Sequence, residues 1–303
     1  MSRAVVSHTD GHVYEFAPEM EPIYTAADGE RLTFETIDSL NGAIQTDDDL
    51  LEAIPEEVNA ATGPVAVEGA EPGDVLRVEI EDVRVNEDRG RVVTAPGFGL
   101  LQDREDIDHP ATRITEVSED GESLSFGERT IPIDPVIGTI GVATAEEPIS
   151  TLTPHDHGGN LDTTDMTTGT TAYFPVFQEG AMLAMGDSKA AMADGEMCGT
   201  GAEIGTDVDV TVSVVSDPPV SLERPLVHTG SAWKTIASAE TLESAVAMAN
   251  EDLIDLLRHE HDYSATEGYL FSSLVGGLEI SQVVDPLVTA RNAIPDEYLS
   301  DPF

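Results

Sequence analysis

The sequence predicts an α+β fold, mainly antiparallel β, with its helices near the C-terminus. Three observations carry this expectation. Up to about residue 238 the chain breaks into short segments rich in β-branched residues and separated by turn formers. A helical apolar repeat follows at 242–257, and a capping-box pattern at Ser264 and Glu267 comes after it. Gly and Pro are spread throughout without forming a linker, and no repeat is visible, so 1–303 reads as a single domain. Its natural subdivision is a β-rich part, 1–238, and a helix-containing part, 239–303.

The elements follow in order. Val5 to His8, Leu32 to Ile37, Val75 to Val85 and Arg91 to Thr94 show β-branched enrichment or partial alternation. Thr112 to Val117, Ser123 to Phe126 and Thr130 to Ile133 continue the series. Asp28-Gly29, Pro72-Gly73 and Asp120-Gly121 supply turns, the last between two short strands as in a hairpin. Thr171 to Val176 and Ala181 to Met185 flank Gln178-Glu179-Gly180, which predicts another hairpin. Asp207 to Val215 alternates Val with polar residues, as a half-buried strand does. Leu242, Ala245, Val246, Ala249, Leu253, Leu256 and Leu257 keep i, i+3, i+4 spacing and predict a helix of about five turns. The second helix runs to Leu274, Gly276-Gly277 stops it, and Leu278 to Val284 reads as a strand.

The formal net charge is −45, from 59 acidic against 14 basic residues. Lys189 and Lys234 are the lysines of the chain, and arginine supplies the other basic residues. The acids are scattered among periodic apolar segments, so the charge describes a folded protein with an acidic surface rather than a disordered tail. Such a surface suits multimolar salt, which screens charges beyond about 3 Å. It argues against nucleic-acid partners and anionic membranes, whose phosphates it would repel. The single cysteine, Cys198, precludes an intrachain disulfide. The N-terminal MSRAVVSHTDGH lacks a signal-peptide apolar core, and no stretch reaches the ~20 apolar residues of a membrane span. A cytoplasmic location in a salty cell is the expectation.

Candidate chemistry concentrates in 151–206, where His155, Asp156, His157, Asn160, Asp162, Asp165, Asp187, Lys189, Asp194, Glu196 and Glu203 fall among glycines and apolar strands. Carboxylates partly buried beside such strands gain basicity or pair with a metal. Phosphate-binding glycine loops and a G-x-S-x-G elbow are absent.

Several motifs resemble the acetamidase/formamidase family. His157-Gly158-Gly159-Asn160-Leu161-Asp162 is similar to its H-G-G-N-x-D signature. Gly186-Asp187 and Asp194-Gly195-Glu196 are similar to the ends of its G-D-x-H-A-x-Q-G-D-G-E run, and Cys198-Gly199-Thr200 to the C-G-T that follows. Thr62-Gly63-Pro64, Val67 to Asp74, Gly138 to Ala143 and Ile280 to Asp285 resemble further family segments, in order along the chain. The resemblance implies a β-rich homo-oligomer, dimer or higher, that hydrolyses a small aliphatic amide to a carboxylate and ammonia. It also implies a divalent metal, zinc, at Asp162, Asp187 and His157. A metal-bound water has a pKa near ~7 in favourable sites. Glu196 is the candidate proton shuttle, and Asn160 either binds substrate or locks the Gly-Gly turn.

Lys189 departs from the pattern by replacing the family's His, and Met192 and Ala193 replace Gln and Gly. A protonated lysine cannot ligate zinc. Its ammonium can instead stand where the metal charge would be, against Asp187 or Asp162, in a metal-free site that is either altered in mechanism or only binds a small polar ligand. Each candidate has an ordinary alternative: His157 as a loop histidine, Asp162 and Asp187 as turn caps, Glu196 as a salt-bridge partner of Lys189. Glu196, Lys189 and Cys198 also include the residue types that nitrilase-type amidases use for thiolate attack.

Overall fold

The computed structural model describes residues 3–303. The strand Thr206–Val215 shows how the chain builds its larger sheet. Val208, Val210 and Val212 are fully buried, while the intervening Asp207, Asp209 and Thr211 stay partly exposed. That period of two sends the valines inward and leaves Asp209 for Arg3 and Arg84 and Asp207 for Asn86. Its neighbours are Arg31–Glu35 on one side and Val75–Val85 on the other, both antiparallel. The full order is Ala4–Ser7, Arg31–Glu35, Thr206–Val215, Val75–Val85, Thr170–Pro175, Leu226–His228, Ala232–Ala239, Val288–Pro295 and Gly277–Gln282.

A second sheet runs Gly158–Asn160, Val136–Gly141, Leu183–Lys189, Ala61–Val67 and His12–Val13, with Tyr24–Ala26 parallel to Ala61–Val67. The two sheets share one apolar core. Val78, Ile80, Phe174 and Val210 from the first meet Val65, Ile137, Ile140 and Met185 from the second. The helix Leu242–His261 covers the opposite face of the larger sheet, setting Leu253, Leu256 and Leu257 against Trp233, Tyr173 and Ile294. Consecutive residues Leu226 and Val227 face the helix layer and the inter-sheet core respectively, as a strand between two layers requires. The predicted capping box opens the second helix, Ala265–Val275, which ends at Gly276. The α+β class is therefore as the sequence indicates. No helix among the described residues is long and apolar enough to cross a membrane.

The proposed hairpin at Gln178-Glu179-Gly180 is corrected. Thr170–Pro175 pairs with Val75–Val85 in the larger sheet, whereas Leu183–Lys189 pairs with Val136–Gly141 in the smaller one. The turn carries the chain from one sheet to the other, and both flanks are buried on both faces. The Asp120-Gly121 turn holds a short ladder, with Ser118 N–H bonded to the Ser123 carbonyl and Val117 opposite Leu124.

Candidate active site

Three side chains, two on one strand and one just past another, converge around Gly138. In the smaller sheet, Val136–Gly141 lies between Gly158–Asn160 and Leu183–Lys189, with Thr139 opposite both Asn160 and Gly186. Asp187 and Lys189 are two residues apart on one strand and so share a face. Asp162, just past the other strand, donates its N–H to the Gly138 carbonyl at 3.2 Å. Gly138 leaves the space between them open. A methyl group at that position would collide with Lys189 Nζ, Asp187 Oδ2 and Asp162 Oδ1 together.

Lys189 fills that space. Its side chain is fully buried, and Nζ donates to Asp162 Oδ1 and to Asp187 Oδ2, the latter at 2.6 Å. Glu196 Oε1 stands 3.5 Å away and Glu203 Oε1 4.0 Å away. Asp285 completes the group. Asn160 Nδ2 donates to Asp285 Oδ2 at 2.9 Å, and Asn160 Oδ1 accepts from Thr139 Oγ1 at 2.6 Å and Asn59 Nδ2 at 3.0 Å. Asn160 therefore spends its oxygen and one N–H on positioning Asn59, Thr139 and Asp285.

Asp162, Asp187 and Glu196 all sit at positive φ, between 41° and 54°, although none is glycine. Backbone held in this region costs on the order of 1–3 kcal/mol per residue and concentrates where geometry matters more than stability. An ionic clamp holds two of the segments. Arg291, itself buried, bonds Thr164 Oγ1 at 3.1 Å, Asp165, and Asp194 Oδ1 at 2.6 Å, tying the stretch after Asp162 to the stretch before Glu196. Gly195 is pinned on both sides, its N–H to Ser281 and its carbonyl to Val283, on the run that leads to Asp285.

A cavity of ≈ 30 Å³ opens onto Asp187, Lys189, Glu196, Glu203 and Asp285. That is room for about two waters. The rest of its lining is largely apolar, with Leu40, Leu51, Ile54, Val58, Phe98 and Leu152. Five carboxylates here face one ammonium in a dry setting, and their proton affinities move accordingly. Burial raises Asp187, Glu196 and Asp285 well above the usual carboxylate range, with neighbouring carboxylates adding to it and Lys189 opposing it. Glu203 is raised to about 7 by burial. For Lys189 burial acts downward, but Asp162, Asp187, Glu196 and Glu203 outweigh it and hold the ammonium charged well beyond the usual lysine range.

His157 is not part of this cluster. Its ring packs against Phe16 at 4.9 Å and lines a separate depression with His155, Asp156 and Glu147. Both ring nitrogens are buried without a hydrogen-bond partner, and burial followed by His155 lowers its pKa to about 3. The unfolded chain thus binds a proton below pH ~6.5 that the folded chain refuses until about pH 3. Stability is lost as pH falls through that window. Against wild type, His157→Asn is expected to recover about 2 kcal/mol between pH 6.5 and 5, measured by chemical denaturation at each pH. Identical pH profiles would show that His157 is not held neutral.

The zinc set implied by the resemblance does not fit these side chains. His157 is absent from the cluster, and Asp162 and Asp187 are bonded to the Lys189 ammonium. Asp162, Glu196 and Asp285 each offer one oxygen, all within 4.8 Å of one another, but the set has neither nitrogen nor sulfur, the donors on which zinc sites are mainly built. Cys198 does not form a nitrilase-like unit with Lys189 and Glu196. Its Sγ bonds the Thr200 carbonyl at 3.3 Å, and the surface depression it lines with Leu124 and Phe126 touches Glu196 but not Lys189.

Asp285, Glu203, Thr139 and Asn59 belong to the site without having been assigned roles from sequence. Asp285 ends the C-terminal Ile280–Asp285 motif, and that match is the signal that could have drawn it in.

A sequence model of the Acetamidase/Formamidase family matches residues 2–149 and 135–299. A formamidase from Methylophilus methylotrophus is 26% identical over 265 residues. That match takes in 69% of this chain but 65% of the relative, so the chain spans less than two thirds of its length. The crystal structure of an acetamidase from Bacillus halodurans superposes with a TM-score of 0.91 at 37% identity, covering 97% of this chain and 98% of the other. A predicted acetamidase/formamidase from Thermoanaerobacter tengcongensis gives 0.91 at 39% identity, covering 97% and 96%.

Proposed function

The chain belongs to the acetamidase/formamidase family, and from that premise we propose that it hydrolyses a small aliphatic amide to a carboxylate and ammonia at the Lys189 centre. The observation that carries this is the placement of a buried ammonium 3.5 Å from a buried carboxyl of raised proton affinity, at the end of a water-sized cavity. Lys189 draws electron density from the amide carbonyl and stabilises the oxyanion. In so dry a setting that attraction acts at full strength without reorganisation. Glu196, in its ionised form and made more basic by burial, takes a proton from the attacking water and passes it to the leaving nitrogen as the C–N bond breaks. The balance is one amide and one water in, one carboxylate and one ammonium out.

The cavity favours a molecule of a few heavy atoms, and the apolar part of its lining favours a short hydrocarbon tail over a charged one. The cluster of acids repels an anionic substrate and helps expel the carboxylate product. A metal-free centre is supported by the donor set, and a salt-rich cytosol by the charge of −45.

The direct test is ammonia release from formamide and acetamide in multimolar NaCl. Turnover unaffected by chelation, with zinc far below one per chain by elemental analysis, is the expected result. Lys189→His, which restores the family residue beside Asp162 and Asp187, is expected to take up zinc. Absence of ammonia release with or without added metal would overturn the hydrolase and leave a small-ligand binding protein.

A further inference from the structure

We propose that Asp162, Glu196 and Asp285 form an ammonium seat, a subsite that holds the amide nitrogen of the substrate and then the ammonium product. Its catalytic role rests on the hydrolase proposed above, whereas its affinity for ammonium does not. The three carboxylates come from a strand end, a loop and the C-terminal motif, and each turns one oxygen to a common point.

Two observations beyond acidity point to an occupant. Asp162 Oδ2 and Asp285 Oδ1 are buried without any hydrogen-bond partner, in residues that are 0% and 9% exposed. Lys189 does not satisfy them, because its bonds go to Asp162 Oδ1 and Asp187 Oδ2. An unpaired buried carboxylate oxygen is costly, so a donor or a cation belongs there.

Size and charge select the class. Oxygens no more than 4.8 Å apart can all lie within about 2.8 Å of one central atom, the separation of an N–H···O bond. Calcium takes six to eight oxygens and magnesium keeps several waters. Three oxygens beside a ≈ 30 Å³ cavity, already shared with an ammonium, supply neither. An NH₄⁺ ion, or the –NH₂ of a primary amide, needs only a few acceptors and brings its own donors. Glu196 and Asp285 of the seat line the cavity together with Lys189, so the seat and the ammonium that faces the carbonyl open onto one space.

The test titrates NH₄Cl into the full chain at constant ionic strength in NaCl, read by calorimetry, with tetramethylammonium chloride as the bulky control. One saturable ammonium site per chain, absent for tetramethylammonium, is expected. Asp285→Asn is expected to weaken it at least tenfold, and Glu196→Gln serves if the first variant does not fold. Equal responses to the two cations, or unchanged affinity in both variants, would overturn the seat. Saturable ammonium binding without amide turnover would keep the seat and sink the hydrolase. Turnover with no ammonium-specific binding would do the reverse.

Discussion

Lys189→Met is expected to abolish amide turnover, by 10³-fold or more, and to destabilise the fold by about 3–5 kcal/mol at neutral pH. Methionine fills nearly the same volume, so the loss isolates the charge. Asp162 and Asp187 would keep their positions, strained at positive φ, but would have no cation between them. Removing one partner from a buried ion pair leaves the other desolvated and uncompensated, which is why the cost exceeds the net worth of the pair. The destabilisation should shrink in acid, where Asp187, whose proton affinity burial already raises, is neutral and no longer needs the ammonium. Lys189→Arg keeps the charge but cannot place a compact ammonium over Gly138, so it should recover stability more than rate. Denaturation midpoints and ammonia release measured together decide the matter. Stability unchanged in Lys189→Met would mean that the carboxylates are already neutral and the pair is not ionic.

The fold was legible where one face of an element is wet. Thr206–Val215 alternates because its acids lie on a face open to polar partners and water, and Leu242–His261 shows its apolar stripe because its other face meets water. Ala61–Val67, Val136–Gly141 and Leu183–Lys189 are buried on both faces and display no period, so only the start of the third was read as a strand, within Ala181 to Met185, and the other two were hinted at by the family resemblance alone. The false hairpin at Gln178–Gly180 has the same origin. Two buried strands with a glycine turn look alike whether they pair with each other or join different sheets. In the site, a pairing of Lys189 with Asp187 or Asp162 was readable from the replaced histidine, because an ammonium there stands where a metal charge would be; the structure has both, Asp187 sharing a strand face with Lys189 and Asp162 reaching it from a neighbouring segment. His157 was misplaced because a motif fixes order along the chain and not direction. The turn at Gly158-Gly159, both at positive φ, sends His157 and Asn160 to different cavities. Asp285, 89 residues from Glu196 in the chain, meets it only because Gly195 is stitched to Ser281 and Val283.

Glu196→Gln should separate catalysis from stability in the opposite sense to Lys189. Rate is expected to fall by about 10²–10⁴, the usual contribution of a positioned proton donor and acceptor. Stability should not fall with it. Glu196 is buried among like charges, and its folded proton affinity lies well above that of an ordinary glutamate. From the ordinary carboxylate range upward, the folded wild type therefore binds more protons here than the unfolded chain, and its stability declines as pH rises. Glutamine carries no charge and does not titrate, so the variant lacks that decline. Its advantage over wild type should be absent in acid and grow steadily through neutrality. Asp187, Glu203 and Asp285 have the same sign and remain in the variant, so the slope should lessen rather than vanish. A variant that is slower but progressively more stable than wild type as pH rises would identify a carboxyl kept for its chemistry against the interest of the fold. A variant that is slow and unstable at every pH would instead make Glu196 a structural counter-ion for Lys189, and the proton path would have to run through Glu203 or Asp285.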